Sequence, residues 1–340
     1  MRNTPNLDFM RAFAVMLVVI DHLLLSHGIM YVGPWHSEWI GVVGVYMFFV
    51  HTCLVLMWSL ERKPHTLDFY IRRAFRIYPL VWIAILFTLL FHAPVGGTPT
   101  NFYHYGSPRP AVILSNLALT HNLAARGTII GVLWSLPLEV DMYILLPPLF
   151  FFVRKNFSLW PLLLLWVLAA ALANLRLSDG NSFETVIPCF LPGVMAYVLF
   201  RRVTPRLPAW LFPVFLLSLT ELFMLSPSVR NSWPMCLALG IGIPFFRQMN
   251  FSPAKRVSHE FAKYSYGIYL SHSFAIVLGF YVLHASPAWL QSIVFIASLA
   301  AFSIAGYHAV EKPMIDLGAK LARSAERRYE QRHAHEFAPK

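Results

Sequence analysis

Apolar runs of about twenty residues recur along the whole length of this 340-residue chain. A run of that length matches the ~30 Å hydrocarbon thickness of a bilayer when coiled as a helix. Lipid offers no hydrogen bonds, so a spanning backbone must satisfy its own amides, and a helix does this within one segment. Composition agrees: 57% of residues are hydrophobic and 13% charged, and mean hydropathy is +0.58. An ordinary soluble domain is excluded. The predicted fold is all-α, a polytopic integral membrane protein with about ten spanning helices. They are expected at 7–30, 39–60, 77–93, 131–153, 158–175, 184–201, 208–225, 231–247, 263–284 and 288–309. The first helix does not read as a cleavable signal, being long, internally charged and followed by no small-x-small site.

The formal net charge of +11 invites a nucleic-acid reading. The placement of the charges opposes it. With the N-terminus inside, the connections divide Lys and Arg 23 to 4 in favour of the cytoplasmic side. That asymmetry predicts both termini cytoplasmic and accounts for the basic pI as a topology signal. Residues 1–315 are expected to form the membrane domain. Residues 316–340 are expected to be a basic, solvated, partly disordered tail, resting on anionic lipid. Cys53, Cys189 and Cys236 lie in apolar segments and read as small packing residues. No closely spaced His, Cys and carboxylate set appears in one segment, so no metal is expected.

Within this frame the first helix, NLDFMRAFAVMLVVIDHLLLSHGIM, carries Asp8, Arg11, Asp21 and His22. A charge at mid-membrane depth costs about 2.5–3.5 kcal/mol on insertion scales, so such groups usually face a bundle interior and serve a function. Arg11 and His22 are eleven residues apart and return to nearly the same helix face, about 16 Å apart along the axis. Taken alone, Arg11 fits a snorkelling anchor and His22 a structural interhelical partner as well as they fit chemistry.

Three later stretches hold further polar groups. HTLDFYIRRAFRIYPL reads as an amphipathic interfacial helix feeding helix three, with Arg73 and Arg76 on one face. The connection 93–130 is the longest outer one, and its AVILSNLALTHNLA stretch is too short to span comfortably. Such a loop suits either an acceptor-binding element or a packed cap. GVLWSLPLEVDMYILLPPLF then brings Glu139 and Asp141 into the membrane, unless both are simply solvated at the interface. In helix nine, KYSYGIYLSHSF places Ser271 and His272 near the cytoplasmic third.

Taken together these segments resemble a known family. Arg11 and His22, FFV at 48–50, RRAFRIYPL at 72–80, WSLPLE at 134–139, YSYGIYLSH at 264–272 and EKP at 311–313 stand in the order seen in the membrane-bound acyltransferase-3 family. The resemblance implies a multi-pass enzyme of the bacterial inner membrane that moves an acyl group, usually acetyl, from cytoplasmic acyl-CoA to a hydroxyl. The implied acceptor is a glycan or lipid-linked glycan, such as O-antigen or exopolysaccharide, or a small molecule. It also marks Arg11, His22, Arg73, Arg76 and Glu139 as positions to watch. In one respect the chain departs from the family: His51 and Thr52 stand where a Ser-Gly pair is common. His51 itself reads as a packed, hydrogen-bonded residue.

O-acylation from a thioester needs a base for the hydroxyl, donors for the oxyanion and a grip on the CoA phosphates. His22, with an ordinary pKa near 6.5, suits the base. Asp21 points about 100° away along the helix and is a weak orienting group, so Asp141 or Glu139 is an alternative. Arg11, Arg73 and Arg76, with Arg72 beside them, suit the phosphates. Acetyl-CoA is the expected cosubstrate, the bilayer the medium, and no nucleic-acid partner is expected. A transporter or flippase of lipid-linked sugar should show inverted repeats and broken midplane helices, and a membrane glycan polymerase large outer loops. Neither pattern stands out, and a structural membrane protein would have no need of the Arg11–His22 stripe.

Overall fold

The computed structural model describes residues 4–98, 101–104, 108–123, 127–156, 158–177 and 182–334. It is an all-α bundle with two short hairpins at helix connections. The helices are α1 Pro5–Ser26, α2 Glu38–Arg62, α3 Thr66–Phe91, α4 Pro110–Leu117, α5 Leu136–Asn156, α6 Trp160–Leu175, α7 Phe183–Leu199, α8 Leu211–Met224, α9 Val229–Gly242, α10 Ser252–Ile276, α11 Ala288–Gly306 and α12 Lys312–Ala334. Strands β1 (Tyr31–Val32) and β2 (Trp35–His36) pair antiparallel between α1 and α2. β3 (Pro94–Thr98) and β4 (Asn101–His104) do so after α3.

Each of the ten expected segments coincides with a helix. Among the described residues, six helical stretches are long and apolar enough to cross a membrane: Pro5–Ser26, Glu38–Arg62, Thr66–Phe91, Gly131–Lys155, Ser252–Val282 and Ala288–Glu326. α6, α7 and α8 are apolar but shorter. The protein is a polytopic helical membrane protein.

α2 is the central element and packs against α1, α7 and α9. Its Tyr46, Phe49, Met47 and Leu54 are among the largest fully buried side chains. Phe49 stacks on Phe190 of α7 with ring centroids 4.1 Å apart. Gly193 of α7 allows this approach, because a Cβ there would strike the Val50 carbonyl oxygen. α11 lies at the other extreme, with its apolar side chains Ile293, Ile296 and Ile304 outward. An outward apolar face suits lipid as its solvent.

Three boundaries differ from expectation. α3 is one continuous helix from Thr66, with no interfacial helix before it. His65 caps it by accepting from the Asp68 amide, and Pro79 lies inside without ending it. The polar face of its first half, with Arg73 and Arg76, turns toward polar groups of the bundle. α10 starts at Ser252, eleven residues before the expected start at 263, and continues through a π-helical turn, Val277–Val282. Hydropathy marks where a helix enters lipid, not where it begins, so His272 falls in the last third of α10 and not the first. The basic tail is helical through Ala334, joined to α11 by a second π-helical turn, Tyr307–Glu311. It packs along α3, with Lys63 Nζ 3.3 Å from Glu326 Oε2.

The long outer connection is pinned and does not span. α4 has eight residues. Tyr78 and Trp82 of α3 donate to the Ala118 and Leu117 carbonyls at 3.1 and 2.9 Å. Asn116 is fully buried and bonds the Gly127 carbonyl and the Ile129 amide.

Candidate active site

The first half of α3 builds the basic part of the site. Arg72 reaches back one turn to Asp68 in a two-pronged contact, Nε to Oδ2 at 2.6 Å and a second nitrogen to Oδ1 at 3.1 Å. Arg73 and Arg76, three residues apart, share the inward face as their spacing predicts. All three border a cavity of about 360 Å³. α1 contributes Arg11 to it, α2 contributes His51 and Thr52, α5 contributes Glu139 and Tyr143, and α10 contributes Tyr266 and Tyr269. Val45, Phe48, Val55 and Leu56 form its apolar wall.

The ion pairs in this cavity are unevenly distributed. Arg76 lies 3.4 Å from Glu311, whose side chain is wholly buried. The π-helical turn before α12 aims Glu311 inward; such turns recur at functional sites. Glu139 accepts from the Tyr143 hydroxyl at 2.5 Å and from Thr52 at 3.3 Å. Arg11 and Arg73 make no ion pair within 4 Å among the described residues, and Arg73 Nε is buried without a hydrogen-bond partner. Glu139, in the same cavity, acts on both guanidiniums only from beyond contact distance.

His22 stands apart from this cavity, toward the other end of α1. Its Nδ1 lies 2.9 Å from the Val18 carbonyl and 3.1 Å from Asp21 Oδ2. Both partners are acceptors, so Nδ1 carries the proton and Nε2 keeps its lone pair. Asp21, and neither Glu139 nor Asp141, is therefore the carboxylate at His22. Neighbouring residues on a helix point apart, but the two side chains bend toward each other because α2 closes the other side. Gly41 of α2 faces Asp21 so tightly that a Cβ there would overlap Oδ2. Asp21 is buried, with a side-chain exposure of 5%.

The other expected site residues divide between the two regions or leave them. The His272 ring meets His22 edge to face, 4.8 Å between centroids. Ser271 lies 3.4 Å from Ser303 of α11, in a helix contact. Asp141 accepts from Asn122 of the outer connection at 2.7 Å. Asp8 meets His259 of α10 at 3.0 Å, outside the cavity. His51 is buried but has no hydrogen-bond partner among the described residues; it borders the cavity instead of being tied into the packing.

Sequence reasoning did not assign Thr52, Tyr143, Tyr269 or Glu311 to the site. Tyr143 had a signal, since it follows Glu139 by four residues and so shares its face. Glu311 stood in the EKP motif without a role. Thr52 and Tyr269 had none beyond their place in the motifs. All three cysteines are fully buried.

A family described as Acyltransferase domain matches residues 4–308, nearly the whole chain. The chain belongs to the acyltransferase-3 family. It is a membrane acyltransferase, and the cavity's arginines and the Asp21–His22 pair lie within the matched region, whereas Glu311 lies just beyond it. No curated protein and no solved structure matches it.

Proposed function

We propose that this acyltransferase moves an acyl group, acetyl in the first instance, from cytoplasmic acyl-CoA to a hydroxyl of a surface glycan such as O-antigen or exopolysaccharide, at a bacterial inner membrane. The observation that carries the donor is the cavity where Arg11 and Arg73 have no carboxylate within 4 Å among the described residues. CoA brings phosphates, and a guanidinium fork matches phosphate oxygens in number and plane. Arg76 is paired with Glu311 and Arg72 with Asp68, so these two add positive charge to the cavity lining without being its free guanidiniums. With both termini cytoplasmic, as the Lys and Arg asymmetry indicates, these arginines face the side on which acyl-CoA resides.

The reaction is assigned to the other end of α1. The pantetheine arm extends from the cavity along α1 toward His22. As the acceptor oxygen bonds to the thioester carbonyl carbon, its proton passes to His22 Nε2. The C–S bond then breaks, and the leaving CoA sulfur takes that proton. Asp21 holds the ring through Nδ1 and stabilises the imidazolium formed in between. General base assistance of this kind contributes about 10²–10⁴-fold in rate.

The test is transfer in membranes containing wild type or His22→Ala at matched protein levels. Labelled acetyl-CoA is supplied on the cytoplasmic side, and the surface glycan is read by mass spectrometry. Labelled glycan with wild type and a loss of at least about 10²-fold with His22→Ala is expected. Labelling that survives His22→Ala removes His22 as the base. No labelling with folded wild type, repeated over a panel of acyl-CoA donors, overturns the acyl-CoA reading and favours movement of a lipid-linked sugar.

A further inference from the structure

Two rings join the arginine cavity to His22. Tyr269 borders the cavity, donates to the Val132 carbonyl and meets Ser135 Oγ at 2.9 Å. Its ring centroid is 6.2 Å from that of His272, which in turn is 4.8 Å from that of His22. His272 therefore lies between the arginine cavity and His22, on the line along which the acyl arm is proposed to extend.

His272 is fully buried, at 0% exposure. Its Nδ1 lies 3.2 Å from the Ile268 carbonyl oxygen one turn back. A carbonyl oxygen only accepts, so Nδ1 carries the proton and Nε2 presents a lone pair. That nitrogen is buried and has no partner among the described residues. A buried acceptor without a donor is costly, and each such group calls for an explanation. Packing alone would be served better by a phenyl ring of similar shape, which has no lone pair to strand.

We propose that His272 Nε2 accepts a hydrogen bond from an N–H or O–H group of a substrate bound between the arginine cavity and His22. Two sources carry that chemistry: an amide N–H of the pantetheine arm, or a hydroxyl of the glycan acceptor. Either contact would fix the substrate beside His22 Nε2. The inference rests on the acyl-CoA reading above and names a substrate contact that the cavity arginines do not supply.

The experiment uses the full chain with His272→Phe, which keeps a ring and loses the acceptor, and His272→Gln, which keeps an acceptor oxygen. Acetyl-CoA binding is measured on purified protein in detergent, and glycan acetylation in membranes. If the arm is the source, His272→Phe binds acetyl-CoA about 3- to 10-fold more weakly and His272→Gln recovers part of the loss. If the acceptor is the source, acetyl-CoA binding is unchanged and glycan acetylation falls by a similar factor, again partly recovered by Gln. Wild-type binding and transfer in His272→Phe overturn the proposal. Equal losses in Phe and Gln overturn it too, because they assign His272 to packing. Should the Phe variant not fold, His272→Leu against His272→Gln makes the same comparison. Failure of wild type itself to bind acetyl-CoA is a different result, and it strikes the acyl-CoA reading first.

Discussion

Arg73 and Arg76 sit one turn apart on the same helix face, yet their surroundings give them different work. Glu311 neutralises Arg76 at 3.4 Å, while Arg73 has no carboxylate within 4 Å among the described residues. A hydrogen bond to a charged group is worth about 1.5–3 kcal/mol, or roughly 10- to 100-fold in binding. Arg73→Ala is therefore expected to raise KM for acetyl-CoA at least about 10-fold. Arg73→Lys restores only part of this, since an ammonium replaces the charge but not the fork. Steady-state transfer in membranes over a range of acetyl-CoA concentrations measures both; an unchanged KM for Arg73→Ala would remove this residue from the donor site. The arginines and His22 were legible in the chain because ionisable residues in apolar helices are few. Their partners were less so: Asp21 stood only as a weak candidate to orient His22, beside Glu139 and Asp141. Asp21 lies beside His22 in sequence, where helix geometry points it away, and only the wall formed by Gly41 returns its carboxylate to the imidazole.

At the scale of elements, α1 and α2 meet closely enough for Gly41 to set the Asp21–His22 geometry. Gly41→Ala is expected to displace the carboxylate and lower kcat about 10-fold or more, within the range of general base assistance. KM for acetyl-CoA should stay near wild type, because residue 41 does not border the cavity. Gly193→Ala makes the contrast. Its Cβ would strike α2 backbone at Val50, so overpacking is expected to cost about 1–3 kcal/mol of stability. Thermal unfolding in detergent, set beside kinetics of both variants, separates the two effects. Equal loss of stability with no selective fall in kcat for Gly41→Ala would reduce Gly41 to a packing residue. Helix existence was read well from apolar length, whereas helix ends were not. α10 and α12 extend through polar sequence because they rest on neighbouring helices, and a hydropathy pattern carries no record of that support.

The whole molecule carries its charge unevenly, and the division of Lys and Arg predicts both termini in the cytoplasm. The three native cysteines are fully buried, so single introduced cysteines report their own surroundings. Ala285→Cys, exposed between α10 and α11, is expected to react with a membrane-impermeant maleimide on intact cells. Ser324→Cys, exposed on α12, should react only after permeabilisation. The reverse pattern would invert the protein and set the arginine cavity on the side without acyl-CoA.

From its own order of residues this chain determines a helical membrane protein, its family and the two polar poles of α1. Those properties follow from local quantities: apolar run length, the cost of charge in lipid and the spacing of motif residues along a helix. Tertiary structure decided which groups share a cavity. It paired Arg76 with Glu311 across 235 positions of sequence and left Arg73 without a carboxylate within 4 Å among the described residues. It gave Glu139 to Tyr143 and Thr52, and so left Asp21 as the partner of His22. Such pairings depend on which helix closes against which, and side-chain contact between distant segments has no signature in the periodicity of either one.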